Sequence, residues 1–224
     1  MKTSTQDNSL SAGYVDAILN ADVYSSAIVT PLDPAPRLSA RLGNQISFKR
    51  EDLQPVFSFK IRGAENCIAQ IDAATIERGV ITSSAGNHAQ GVALAARNRG
   101  IRAVIVMPEI TPTIKIDAVR ALGGEVVLHG KAYDDAFAHA QEIVESEGLV
   151  FVHPFADPAV IAGQGTIAAE LARQWREIPD AVFIPVGGGG LLAGVGAWLR
   201  QCYPSVRVIG VEPYEASAMH DSLK

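Results

Sequence analysis

Apolar positions along the chain change their period several times, and the changes mark out elements. From residue 79 onward, short continuous apolar runs alternate with stretches whose apolar residues recur every three or four positions. VITSS, RAVIVM, EVVLHG, LVFVHPF, AVFIPV and VRVIGVEP read as strands. NHAQGVALAARNRG, TPTIKIDAVRALGG, YDDAFAHAQEIVESEG, DPAVIAGQGTIAAELARQW and LLAGVGAWLRQC read as helices. Gly100 and the pair Gly123–Gly124 serve as helix stops, and Pro108 ends a strand. Gly163 and Gly165 lie inside one of these helices and leave its start open. Before residue 79 the pattern is less regular. The opening dozen residues read as disordered, YVDAILNA as a short helix, and PLDPAPRL as a connection that its prolines keep from being helical throughout. ISFKRE (46–51) reads as a strand, and KIRGAENCIAQ as a helix with Ser58 as its N-cap.

Strand and helix in strict alternation, with strands that no polar residue interrupts, predict an α/β fold built on a mostly parallel sheet covered on both faces. No period of a solenoid recurs. In such sheets ligands bind where loops leave the carboxyl ends of strands, which singles out SSAGNH and GGGG.

Composition narrows the functional classes. The net charge is −5 and the 19 basic residues are scattered, so no nucleic-acid footprint is visible. Cys67 and Cys202 stand far apart, and the five histidines show no metal-binding spacing, which predicts neither disulfide nor metal site. MKTSTQDNSLSAG lacks an apolar leader core and no run approaches a membrane span, so the expectation is a cytoplasmic protein.

The two loops carry candidate chemistry. In VITSSAGNHAQG, small residues before a helix let backbone N–H groups approach a carboxylate or phosphate, although a plain capping turn through Ser84 or Asn87 fits as well. FIPVGGGGLLAG is more specific, because four consecutive glycines cost conformational entropy that a phosphate cradle ahead of a helix would justify. Gly188, Gly190 and Ala193, with Glu212 ending the next strand, also fit a dinucleotide fingerprint, so a nicotinamide-dependent oxidoreductase competes. GQGTIA (163–168) fits the same loose pattern within an apparent helix. Lys60 lies among Phe57, Phe59 and Ile61, in the first turn of a helix. Desolvation and the helix dipole there favour a neutral amine, the form that attacks an aldehyde.

KREDLQPVFSFKIRGA, ITSSAGNHAQGVALAA, VIAGQGTIAAEL and FIPVGGGGLLAGV, taken in order, resemble the catalytic domain of the threonine ammonia-lyases (threonine dehydratases) of the biosynthetic type. The resemblance runs from about Tyr14 to about Glu212. It implies the fold-type II architecture of pyridoxal 5'-phosphate enzymes, shared with the tryptophan synthase β subunit, with two α/β subdomains. Residues 52–155 would form a smaller mobile domain, and 1–51 with 156–224 a larger, C-terminally incomplete one. Lys60 matches the lysine that bonds the cofactor and acts as catalytic base, and Phe59 the residue beside its ring. Asn87 matches the residue bonding the ring's 3′ oxygen. Gly187, Gly188, Gly189, Gly190 and Leu191 match the phosphate loop. Ser84, Ala85, Gly86, Asn87 and His88 match the loop that grips the substrate carboxylate.

The implied reaction is deamination of L-threonine to 2-oxobutanoate and ammonia, with L-serine as a second substrate, at the entry to isoleucine synthesis. The implied assembly is a homo-oligomer, a tetramer in full-length members. The family's further stretch of catalytic domain, with its partner for the pyridine nitrogen, and its isoleucine-sensing domain have no counterpart after VEPYEASAMHDSLK, so the chain reads as a fragment. Rival readings are a serine racemase or serine dehydratase-like enzyme, the oxidoreductase above, and a non-catalytic partner of full-length subunits.

Overall fold

The computed structural model describes residues 13–224, so the disorder expected of the opening dozen falls outside the described residues. A helical segment, α1 (13–19), leads into a strand β1 (Leu32–Pro34), a helix α2 (Pro36–Leu42) and a strand β2 (Ser47–Lys49) that pairs antiparallel with β1. The proline-rich stretch is therefore more regular than its composition suggests. Pro34 closes a strand and Pro36 stands in the first turn of a helix, positions where the missing N–H costs nothing. A 3-10 turn (Glu51–Leu53) precedes α3 (Lys60–Ala69) and the short α4 (Ala73–Ile76).

The alternation then unfolds much as the apolar pattern predicts: β3 (Val80–Ser83), α5 (Asn87–Asn98), β4 (Ala103–Met107), α6 (Thr113–Ala121), β5 (Glu125–Leu128), α7 (Tyr133–Glu147) and β6 (Val150–Phe151). These four strands form one parallel sheet in the order β5-β4-β3-β6, with Val80 opposite Ala103 and Val150, and Val104 opposite Glu125. Every residue of β3 and β4 is buried, which is why their sequences show no alternation. On one face Val80, Ala103, Ile105 and Met107 pack with Ile61, Ile68, Ala89 and Val92 of α3 and α5. On the other, Ile81, Val104 and Val106 pack with Ala136 and Ala140 of α7.

The rest of the chain forms α8 (Pro158–Gln174), β7 (Ala181–Pro185), α9 (Gly190–Cys202), β8 (Arg207–Val211) and α10 (Ala218–Ser222). Asp157 fixes the start of α8 by accepting from the amides of Ala159 (2.7 Å) and Val160 (3.3 Å). Its internal glycines serve packing. A Cβ at Gly163 would stand 2.5 Å from the Arg62 carbonyl oxygen, and one at Gly194 in α9 would stand 2.3 Å from that of Ile161. Bare backbone thus lets α3, α8 and α9 cross in contact. β7 and β8 pair in parallel as a separate two-stranded sheet. Ile184 enters the second core with Leu171, Val195 and Leu199, while Phe183 on the opposite face is 67% exposed. Cover on both faces therefore holds for the four-stranded sheet and not for this pair.

Candidate active site

α3 begins at Lys60, with Phe59 rather than Ser58 as its cap residue. Ser58 still serves that end, because its buried Oγ accepts from the Lys60 backbone N–H at 3.3 Å. The Lys60 side chain is half-buried. Its Nζ donates to the carbonyl oxygen of Pro154 at 2.7 Å and lies 5.4 Å from the centre of the Phe59 ring. Desolvation lowers its pKa, because burial penalises the ammonium. Gly91 of α5 makes this placement possible, since a Cβ there would press on the backbone of Lys60 at 3.2 Å.

α5 starts at Asn87 with Gly86 at its cap and no side-chain cap, so neither Ser84 nor Asn87 plays that part. Ser84 Oγ instead accepts from the Gly86 amide at 3.3 Å, a turn that curls the loop ahead of the helix. Asn87 is exposed, and its amide makes no hydrogen bond among the described residues. A Cβ at Gly86 would meet nothing within 4 Å, so the space beside the loop is open. His88 faces the other way. It is 3% exposed, its Nε2 lies 3.0 Å from the Val152 carbonyl oxygen, and its Nδ1 is buried without a partner, as is Ser83 Oγ. A carbonyl can only accept, so Nε2 carries the hydrogen. Burial pushes the imidazole pKa down to about 3, with nearby Lys60 and His153 adding to the effect, so the ring is neutral. What this loop offers a carboxylate is therefore backbone N–H, not the His88 side chain.

The glycine loop stands at the end of β7. α9 begins at Gly190 behind Gly189, which is held at φ +85° and has no side-chain cap to offer. A Cβ at Gly188 would fall 2.2 Å from Cγ of Phe155, and one at Gly190 would fall 2.6 Å from the Phe155 carbonyl oxygen. At Gly187 nothing lies within 4 Å, so one side of the loop opens onto free space. Leu191 and Phe59 both pack against the second core.

These parts meet through the segment after β6. Thr82 Oγ1 (2.9 Å) and His88 hold the Val152 carbonyl, Lys60 holds that of Pro154, and Phe155 lies against Gly188 and Gly190. Lys60 and the glycine loop thus touch consecutive residues of one short segment. Glu212, which the dinucleotide reading needs free, has its carboxylate occupied by the amides of Met219 and His220, both at 2.9 Å.

Sequence reasoning missed the His153–Phe155 segment and a buried ionic cluster beneath α3. Arg62 is fully buried and pairs with Glu51 (2.7 Å) and Glu170 (2.6 Å), and Glu170 also meets Lys49. The local sequence KIRGAEN, with Lys60 and Glu65 on either side of Arg62, carries no signal of it, because the partner Glu170 lies 108 positions away. Among the described residues no group of three or more His, Cys, Asp or Glu could hold a metal, and no helix is long and apolar enough to cross a membrane.

Comparison with known proteins is consistent across sequence and structure. The chain is 56% identical to the biosynthetic L-threonine dehydratase of Burkholderia multivorans over 94% of its length and 42% of the relative's. It is 55% identical to the chloroplastic biosynthetic threonine dehydratase of Arabidopsis thaliana, over 94% of this chain and 36% of that one. The chain therefore spans about two fifths of the length of the curated relatives it matches. Among solved structures it superposes on the processed form of threonine deaminase isoform 2 from Solanum lycopersicum with a TM-score of 0.92 and 54% identity, over 96% of this chain and 62% of that one. On maize serine racemase the TM-score is 0.90 and the identity 36%, over 93% and 64%. The fold-type II architecture is thereby shared with both. The model of the family described as pyridoxal-phosphate dependent enzymes matches residues 24–224, nearly the whole chain, and the chain belongs to that family.

Proposed function

We propose that the chain is the lysine-bearing part of a biosynthetic-type threonine ammonia-lyase, with Lys60 holding the cofactor and Gly187 to Gly190 receiving its phosphate. The observation that carries the assignment is the shared segment. The Lys60 amine and the open glycine loop contact Pro154 and Phe155, so both lie within reach of one small ligand. The residues present fit the cofactor. The free space at Gly187 and Gly86, two helix starts without side-chain caps, and a desolvated amine supply what a phosphate ester, a carboxylate and an aldehyde each require.

When bound, pyridoxal phosphate supplies an electron sink for charge developing at the substrate α-carbon. The chain's residues do the rest. The backbone N–H groups of Ala85, Asn87 and His88, at the start of α5, would take the substrate carboxylate, since those of Ser84 and Gly86 are held by the Val106 carbonyl and by Ser84 Oγ, and Asn87 would offer its amide to the ring's 3′ oxygen. Phe59 lies beside the Lys60 amine and limits water there. Lys60 Nζ removes the α-proton, a role that its lowered pKa favours because it must be neutral to accept one. Loss of the α-proton and of the β-hydroxyl as water, then hydrolysis, turns L-threonine into 2-oxobutanoate and ammonia, and L-serine into pyruvate.

The division into a mobile domain of residues 52–155 and a larger flanking one is part of this reading. It is supported by the four-stranded sheet falling wholly within the first range. Homo-oligomerisation and a cytoplasmic location belong to it as well, as what the resemblance of the sequence motifs implies. The test is to load the chain with pyridoxal phosphate, supply L-threonine or L-serine, and assay keto acid and racemised serine. Keto acid from threonine, abolished in Lys60→Ala, is expected. D-serine as the main product would move the assignment to the racemases.

A further inference from the structure

Glycines have no conformation of their own, so a loop of four must take its shape from neighbours. Phe155 is the neighbour at two of the four, with its ring over Gly188 and its carbonyl against Gly190. The shape of the segment that presents Phe155 depends in turn on one imidazole nitrogen. His153 Nδ1 accepts from the amides of both Phe155 (3.2 Å) and Ala156 (2.9 Å), and the His153 ring stands edge-on to the Phe155 ring, centroids 4.7 Å apart at 85°. Accepting from two amides requires a bare lone pair on Nδ1, so the ring is neutral with its hydrogen on Nε2.

We propose that His153 is a positioning residue for the phosphate end of the cofactor site. By gathering two amides on Nδ1 it folds the turn from His153 to Ala156, which seats Phe155 against the glycine loop and points the Pro154 carbonyl at Lys60. The loop is thereby shaped before a phosphate arrives, and binding does not have to order it. The inference rests on the reading of Gly187 to Gly190 as the phosphate cradle. His153 acts through Phe155 and has no part in the chemistry.

The probe is deoxypyridoxine phosphate, which lacks the aldehyde and so reports the cradle without bond formation to Lys60. Its affinity for the intact chain is measured by calorimetry, with circular dichroism as the check on folding. His153→Ala removes the acceptor and is expected to weaken binding about tenfold, the scale of losing one or two neutral hydrogen bonds from a preorganised loop. His153→Asn places Oδ1 where Nδ1 stood, as in an Asx turn, and is expected to restore affinity close to wild type. Equal affinity in all three proteins, or equal loss in both variants, would overturn the proposal. Should His153→Ala not fold, Phe155→Leu decides in its place. Weakening of about tenfold supports the seating of the loop, and unchanged affinity refutes it. No binding by wild type would remove the cradle reading itself and this proposal with it, whereas wild-type binding with unaffected variants removes only the role of His153.

Discussion

Replacing Arg62 by methionine gives a sharp test of how α3, and with it Lys60, is anchored. The guanidinium is completely buried and spends its N–H groups on Glu51, Glu170, Thr166 and the carbonyl of Ile28, at 2.6–3.2 Å. With Lys49 it balances two carboxylates, and Glu170 is itself 2% exposed. Arg62→Met keeps much of the volume but leaves Glu51 and Glu170 facing one ammonium in a low-dielectric interior. Breaking a buried pair from one side costs about 3–5 kcal/mol. For a chain of this size that lowers the melting midpoint by roughly 6–20 °C. Arg102→Met is the control, because its partners Glu125 and Glu147 lie at the surface, where screening leaves at most about 1 kcal/mol. Urea denaturation of both variants at neutral pH gives the comparison. The Arg62→Met deficit should also shrink as pH falls, since a carboxyl deprived of its cation has a raised folded-state pKa and is relieved by protonation. Equal losses in the two variants would refute the picture of a cluster that clamps the first turn of α3 to α8.

Three further predictions follow from packing and titration. Folded His88 protonates only near pH 3 while the unfolded ring does so near 6.5, so the unfolded state binds more protons between them. Stability should therefore fall as pH drops from 7 to 5, by up to about 1.4 kcal/mol per unit from this group. His88→Gln, which retains a donor for Val152, should flatten the slope in urea titrations, and parallel slopes would exclude His88 as the cause. Gly163→Ala forces a methyl onto the backbone of α3, so a loss of about 1–3 kcal/mol is expected in thermal melts, and a neutral result would contradict the α3–α8 contact. Cys67 is buried, with its thiol pushed up to about 12 by desolvation, whereas Cys202 is exposed. An aromatic disulfide reagent should titrate one thiol in the native chain and both in denaturant, and two fast native thiols would mean α3 opens readily.

Much of this was legible in the sequence because it is local. β3 and β4 announce themselves as unbroken apolar runs, and Gly148 closes α7 in the left-handed region as its place in ESEG suggests. The strand-end loops follow from that alternation. What stayed hidden depends on distant partners. LVFVHPF reads as a full strand, yet β6 keeps only Val150 and Phe151 in its ladder. The carbonyl of Val152 turns to His88 and Thr82, and that of Pro154 turns to Lys60. Arg62 reads as a charged residue on an amphipathic helix, and its partner Glu170 lies 108 positions away. Helix α2 hid behind prolines that read as breakers but occupy tolerated positions.

The central claim is that the Lys60 amine, and no other, bonds the aldehyde of a cofactor seated in the glycine loop. Borohydride reduction of the chain after loading with pyridoxal phosphate, followed by peptide mapping, tests it directly. The account predicts the reduced cofactor on Lys60 within the QPVFSFKIRGA stretch, in near-stoichiometric amount, and its loss when Gly188 is replaced by a bulkier residue. Label spread over surface lysines, or none on Lys60, would contradict it.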